Sequence, residues 1–166
     1  MITTIHPLVV HFPIALLTIY AVVELLRFKK INGQTYWFYL KAILVILGTI
    51  GALVARQTGE ELVEAWRASG ASSSIVVNVH NNWSLIATWI FGVLAVAYLG
   101  AWLYREGVLK NPVGQWCERL IRSWLIPIIA LIGLAAITIT GALGGAIVYG
   151  SDVDPTVKFI YLLLVH

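Results

Sequence analysis

The side chains best suited to chemistry near the start of the chain are two histidines, in HPLVVHFPIA at positions 6–15. His6 and His11 stand in an otherwise apolar segment, where imidazoles are not needed for solubility. Imidazole nitrogens are common ligands of transition metals and of haem iron. The pair therefore indicates either a coordination site or an incidental role in hydrogen bonding, and the surrounding elements must decide between them.

The composition identifies the environment in which these histidines act. Hydrophobic residues make up 60% of the 166 positions and charged residues only 11%, against roughly a quarter charged in soluble domains. A chain of this size cannot hide so much apolar surface from water, so we expect a lipid bilayer around it. The sequence pI of about 9.1 does not indicate nucleic-acid binding, because the basic residues form short clusters between apolar runs. The lone Cys117 excludes an intramolecular disulfide framework and a cysteine-based zinc site.

Four apolar runs are long enough to cross a membrane, at about 7–26, 37–55, 83–104 and 124–149. Backbone groups in lipid must bond within their own segment, so each run is expected to be a helix. We therefore predict an all-α fold: one integral membrane domain over residues 1–166, built as an antiparallel four-helix bundle. The third helix is expected to begin before its apolar run, through IVVNVHNNW, with the serines at 72–74 as caps. Asp154 before Pro155 predicts a short C-terminal interfacial helix.

Basic residues are distributed unevenly between the two sides of the predicted bundle. One side carries eight cations, namely Arg27, Lys29, Lys30, Lys41, Arg105, Lys110, Arg119 and Arg122. The other carries three, namely Arg56, Arg67 and Lys158. Cytoplasmic loops are enriched in lysine and arginine, so we expect both termini to lie outside the cytoplasm.

All four histidines then fall at the outer ends of their segments, which favours a shared site. His11 and His80 enter from the first and third spans to a similar depth. Two neutral imidazoles on different helices are what haem b requires, one on each side of the iron. We predict these two as the ligands, with Arg56 pairing a haem propionate. Phe12 and Trp83 flank the ligands in the sequence and are expected to line the pocket of the porphyrin ring.

His6 is a second candidate ligand, but its side chain is not expected to point in the same direction as that of His11. It stands five residues before His11, about 140° around a helix, so both side chains cannot face one site squarely. A helix-entry role for His6 is therefore equally open. Pro13 removes an amide and frees the carbonyl of Val9, which is available to orient an imidazole.

Two other hypotheses compete with the haem protein. One is a non-haem copper or zinc site held by His6, His11 and His80. The other is a structural or assembly subunit in which the histidines only bond to loops, the role also expected for a solvated His166. A transporter is disfavoured, because Glu24 and Lys41 are expected to reach water at the inner edge. No nucleophile–base pair, phosphate-binding loop or helical metalloprotease motif is present, so we do not expect an enzyme.

Several motifs resemble one bacterial family of predicted four-helix membrane proteins without an assigned function. HPLVVHFPIALL at 6–17 resembles its opening HPxxVHFPIAL, Thr58-Gly59 its TG pair after the second helix, and His80 the histidine that opens its third helix. TGALGGAIVYG at 140–150 resembles its TGHLGGxLVY.

The resemblance implies a multi-pass protein of the bacterial inner membrane. Some members of the family look fused to cytochrome c modules, which implies a cytochrome c-type or other redox partner on the outer face. A homo-oligomer is a further open expectation. Ala142 stands where the family has a histidine. If that position is a ligand in relatives, this chain has lost it or replaces it with His166.

Overall fold

A computed structural model describes residues 5–27, 33–68 and 75–165. These residues form helices and no strands, as the hydropathy pattern predicts. The helices are α1 His6–Leu25, α2 Thr35–Ala68, α3 Ile75–Arg105, α4 Pro112–Arg122, α5 Leu125–Tyr149 and α6 Pro155–Leu164.

Helices α1, α2, α3 and α5 form a closed ring of four. Helix α1 packs against α2 and α5, and α3 packs against the same two neighbours. The core of this ring is apolar, with Leu17, Phe91, Leu94 and Ile126 almost fully buried. All-helical architecture and bundle packing are therefore confirmed.

The outer surface of the ring is as apolar as its core, which is the property of a membrane protein. All four ring helices are long and apolar enough to cross a bilayer, and at most 39% of each span's most apolar window is buried inside the bundle. Residues such as Leu8, Val96 and Ile128 are more than half exposed. In water these side chains would be costly, whereas in lipid they are at no disadvantage.

Two ring helices extend beyond their apolar runs at the same end of the bundle. Helix α2 continues past Ala55 through RQTGEELVEAWRA, and α3 begins at Ile75, eight residues before Trp83. The early start of α3 is confirmed, while the serines expected to cap it, at 72–74, lie outside the described residues. We call this the histidine end, since it carries His6 and His80.

The short helices lie at opposite ends and begin with side-chain caps. Asn111 accepts a hydrogen bond from Gly114 N and begins α4, at what we call the α4 end. Asp154 accepts hydrogen bonds from Thr156 N and Val157 N and begins α6, confirming the predicted C-terminal helix. Each cap satisfies an amide that the first helical turn leaves unpaired.

Candidate functional site

His6, the first residue of α1, is half-buried against α2. Its Nδ1 lies 3.0 Å from Thr58 Oγ1. The Thr58 hydroxyl donates its own proton to the carbonyl of Ala55 over 2.9 Å, so its oxygen accepts from His6 Nδ1. This hydrogen bond assigns a proton to Nδ1 of His6, so that Nε2 carries the lone pair when the imidazole is neutral.

Gly59 provides the room in which the His6 imidazole lies. A Cβ at this position would come 2.9 Å from His6 Cε1, closer than two carbon atoms pack without repulsion. Thr58 thus binds the imidazole and Gly59 admits it. We call His6, Thr58 and Gly59 the first histidine unit.

His80 on α3 makes an equivalent contact with α5. Its Nδ1 lies 3.0 Å from the carbonyl oxygen of Thr140, which can only accept, so Nδ1 again carries the proton. A Cβ at Gly144 would lie 3.3 Å from His80 Cε1, a tight contact. His80, Thr140 and Gly144 form the second histidine unit, and its imidazole is also half-buried.

The two histidine units belong to a repeated helical hairpin. IGALVARQTG at 50–59 in α2 matches IGLAAITITG at 132–141 in α5, with six residues between Ile-Gly and Thr-Gly in both. The packing repeats as well, because α1 pairs with α2 as α3 pairs with α5. We therefore interpret α1–α2 and α3–α5 as an approximate parallel repeat of one helical hairpin.

The repeat relates residues at the other end of the bundle too. Glu24 and Tyr98 each stand eighteen residues after the histidine of their hairpin. The Tyr98 hydroxyl donates a hydrogen bond to Glu24 Oε2 over 2.5 Å. Eighteen helical residues rise about 27 Å, so the histidines and the Glu24–Tyr98 bond lie nearly a hydrocarbon thickness apart, which is about 30 Å.

The histidine units place two imidazoles at one end of the bundle. His6 opens α1 and His80 lies in the second turn of α3, so both rings lie where these two helices begin. Each has its Nδ1 proton held by a protein oxygen and its Nε2 lone pair unused by either unit. This is the state in which histidine coordinates a metal, with a hydrogen bond from the other nitrogen fixing the ring.

His11 and Phe12 lie on a more exposed part of α1. The His11 side chain is exposed, and its Nδ1 bonds to the carbonyl of Pro7 on its own helix rather than to that of Val9. Phe12 is 54% exposed. Ligation by His11 stays a prediction, and the imidazole that bonds to a neighbouring helix, as His80 does, is that of His6.

The remaining predicted site residues, Arg56 and Trp83, contact other side chains of the bundle. The Arg56 guanidinium pairs with Glu60 one turn further along α2, and Trp83 packs half-buried against the core. His166 lies outside the described residues. Among residues 5–27, 33–68 and 75–165, no three histidine, cysteine or acidic side chains come together at metal-binding spacing. A three-imidazole copper or zinc site is therefore not assembled by the described part of the chain.

Sequence reasoning missed a buried ionic cluster at the α4 end. Glu24 is fully buried and Lys41 is 7% exposed, so the prediction that both reach water was wrong. Lys41 Nζ lies 3.2 Å from Glu24 Oε2, and Arg27 Nη2 lies 3.0 Å from Oε1. With Tyr98, the carboxylate is bonded from α2, from α3 and from the segment that follows α1. The available signal was an acid and a base within two predicted spans, an arrangement that is rare in membranes without a partner.

The fold and the two histidine units define a four-span membrane protein with paired histidines at one end. A family model of predicted membrane proteins (DUF2231) matches residues 2–156, nearly the whole chain. The protein belongs to this family, which confirms the resemblance seen in its motifs. No curated protein and no solved structure matches the chain.

Proposed function

We propose that the protein is a membrane b-type cytochrome that holds haem b at the histidine end through His6 and His80. The supporting observation is the pair of histidine units, in each of which a protein oxygen holds the Nδ1 side of the imidazole and neither unit uses Nε2. Two ligands on two helices of a bundle suit haem, whereas zinc sites use three or four protein ligands.

The chain's own residues supply orientation. Thr58 Oγ1 and the Thr140 carbonyl each hold an Nδ1 proton, which sets the ring angle and strengthens the opposite nitrogen as a ligand. Arg56, beside the first histidine unit, is the residue proposed to pair a propionate in exchange for Glu60. Haem bound there would supply one-electron exchange.

The distribution of cations supports an orientation for this activity. With the cation-rich α4 end in the cytoplasm, the histidine end faces outward. Electron exchange would then take place at the outer face of a bacterial inner membrane, with a soluble redox protein of the cytochrome c kind as the proposed partner.

An absorption spectrum of the purified protein tests the proposal. Protein from haem-replete cells should show a Soret band that shifts on reduction with dithionite. Both His6→Ala and His80→Ala should lose this band, since each removes one of two ligands.

His11→Ala is the matched control, because His11 is exposed on the same helix. It should keep the spectrum. If His11→Ala removes the band and His6→Ala keeps it, the ligand pair is His11 and His80 instead. Stoichiometric copper or zinc without porphyrin would overturn the haem proposal in favour of a metal-ion site.

A further inference from the structure

A shallow cavity of about 230 Å³ opens at the α4 end, away from the histidines. Its lining consists of Tyr104 from the last turn of α3 and Gln115, Glu118 and Arg119 from α4. It is smaller than the roughly 300–1,000 Å³ of drug-sized ligand sites. The size suits a small polar group.

The acidic residue of the lining is already neutralised by protein cations. Glu118 receives hydrogen bonds from Arg105 over 2.7 and 2.9 Å and from Arg122 over 2.7 and 2.9 Å. Burial raises the pKa of Glu118, but the bonds from Arg105 and Arg122 outweigh it and hold this pKa below its ordinary value. The carboxylate therefore repels an incoming anion much less than a free one would.

Arg119 is the cation of the cavity that remains available. Its side chain is exposed, and it makes no ion pair or hydrogen bond with the rest of the described chain. A guanidinium donates up to five hydrogen bonds, and the Tyr104 hydroxyl and Gln115 amide are donors as well. Three donor groups around one small space favour an oxyanion, above all phosphate.

The surroundings of the cavity place it at the level of lipid headgroups. Helix α4 exposes Val113 and Trp116, which are 58% and 69% accessible, and Trp124 beyond its end is 71% accessible. Exposed tryptophans concentrate at the membrane–water interface. Helix α4 also buries Gly114 and Ile121, while Arg119 and Arg122 are exposed on its other side. This distribution is typical of a helix lying in the interface plane. Arg119 stands one turn after Trp116.

From this geometry we propose that the cavity binds the phosphate of an anionic phospholipid in the leaflet at the α4 end. Arg119 is the central ligand, with Tyr104 and Gln115 as further donors. Charge complementarity supports a lipid, because this end carries the excess of cations and adjoins the membrane. The inference is independent of the haem proposal.

Reconstitution in lipid nanodiscs of defined composition tests the site. The protein in phosphatidylcholine containing phosphatidylglycerol should unfold at a higher temperature than in phosphatidylcholine alone. Arg119→Gln should lose this gain and bind the anionic lipid about fivefold more weakly, and Arg119→Lys should recover part of it.

Lys158→Gln is the control, since it removes an exposed cation at the opposite end. It should keep the full effect of phosphatidylglycerol. An equal loss in Lys158→Gln would show unspecific attraction, and an unchanged response in Arg119→Gln would exclude the site. If inorganic phosphate stabilises the protein in phosphatidylcholine as well as the lipid does, the occupant is a free anion and the lipid proposal is wrong.

Discussion

His6 and His80 bond to different kinds of oxygen, and this difference can be used experimentally. The first histidine unit uses the hydroxyl of Thr58, which substitution removes. The second uses the backbone carbonyl of Thr140, which no substitution at that residue removes. The two units are related by the repeat, yet only one depends on a side chain for the orientation of its ring.

Thr58→Val should therefore weaken cofactor binding, while Thr140→Val should not. Loss of the oxygen that holds a ligating histidine typically costs 10–100-fold in affinity. In Thr140→Val the carbonyl remains, and the lost hydroxyl bonded only to Ala136 within its own helix. Titration of the apoprotein with hemin measures both. Equal affinities in the two variants would contradict the assigned role of Thr58.

Helix α4 shows how one element depends on charge for its position. It packs against α3 through the contact of Gly114 with Tyr104 and through the bonds of Glu118 to Arg105. The glycine contact is insensitive to pH, whereas the carboxylate contributes only when ionised. The attachment of α4 should thus respond to acid.

Stability should fall as pH drops below about 4.5, the ordinary pKa of a glutamate. Because the pKa of Glu118 is lower in the folded protein than in the unfolded chain, its contribution is full above the unfolded value. It is lost as pH falls through the folded value. Unfolding temperature against pH in neutral detergent measures this, with Glu118→Gln as comparison. The difference between the two proteins should shrink in acid, and a constant difference would contradict the role given to Glu118.

Hydropathy predicted the helices well but not all of their ends or faces. The four spans follow from apolar runs because lipid requires internally bonded backbone. The end of α2 was placed at Ala55, because RQTGEELVEAWRA is polar, yet the helix continues to Ala68. The angle between His6 and His11 follows from their spacing on a helix. Which of them faces α2 depends on the packing of the helices, which spacing alone does not give. The hydropathy pattern did not predict the repeat either, although the sequence contains its signal as two Ile-Gly and Thr-Gly pairs at the same spacing.

At the scale of the whole molecule, the buried carboxylate of Glu24 connects the helices of the ring through hydrogen bonds and ion pairs. It accepts from Arg27 just after the end of α1, from Lys41 on α2 and from Tyr98 on α3. Arg27 also donates to the carbonyl of Arg122 at the end of α4 over 3.1 Å. One carboxylate thereby links elements from both hairpins in the low-dielectric interior.

Glu24→Gln should destabilise the bundle by about 3–5 kcal/mol, because it leaves a buried Lys41 and a half-buried Arg27 without a counter-charge. The comparison is Glu60→Gln, whose pair with Arg56 is partly exposed and should contribute about 1 kcal/mol or less. Reversible unfolding in mixed micelles measures both. Adding Lys41→Met to Glu24→Gln should recover part of the loss. Equal effects of the two glutamine variants would show that Glu24 is not the link described.

The Glu24–Tyr98 bond has a consequence for how such a bundle arises. Two identical chains related by a true dyad would set acid against acid at this position, or phenol against phenol, and the first arrangement repels. Joining the hairpins in one gene frees each half to change by itself. Only then can a carboxylate in one copy meet a hydroxyl donor in the other, so the two hairpins differ at the α4 end while the histidine end keeps its matched imidazoles.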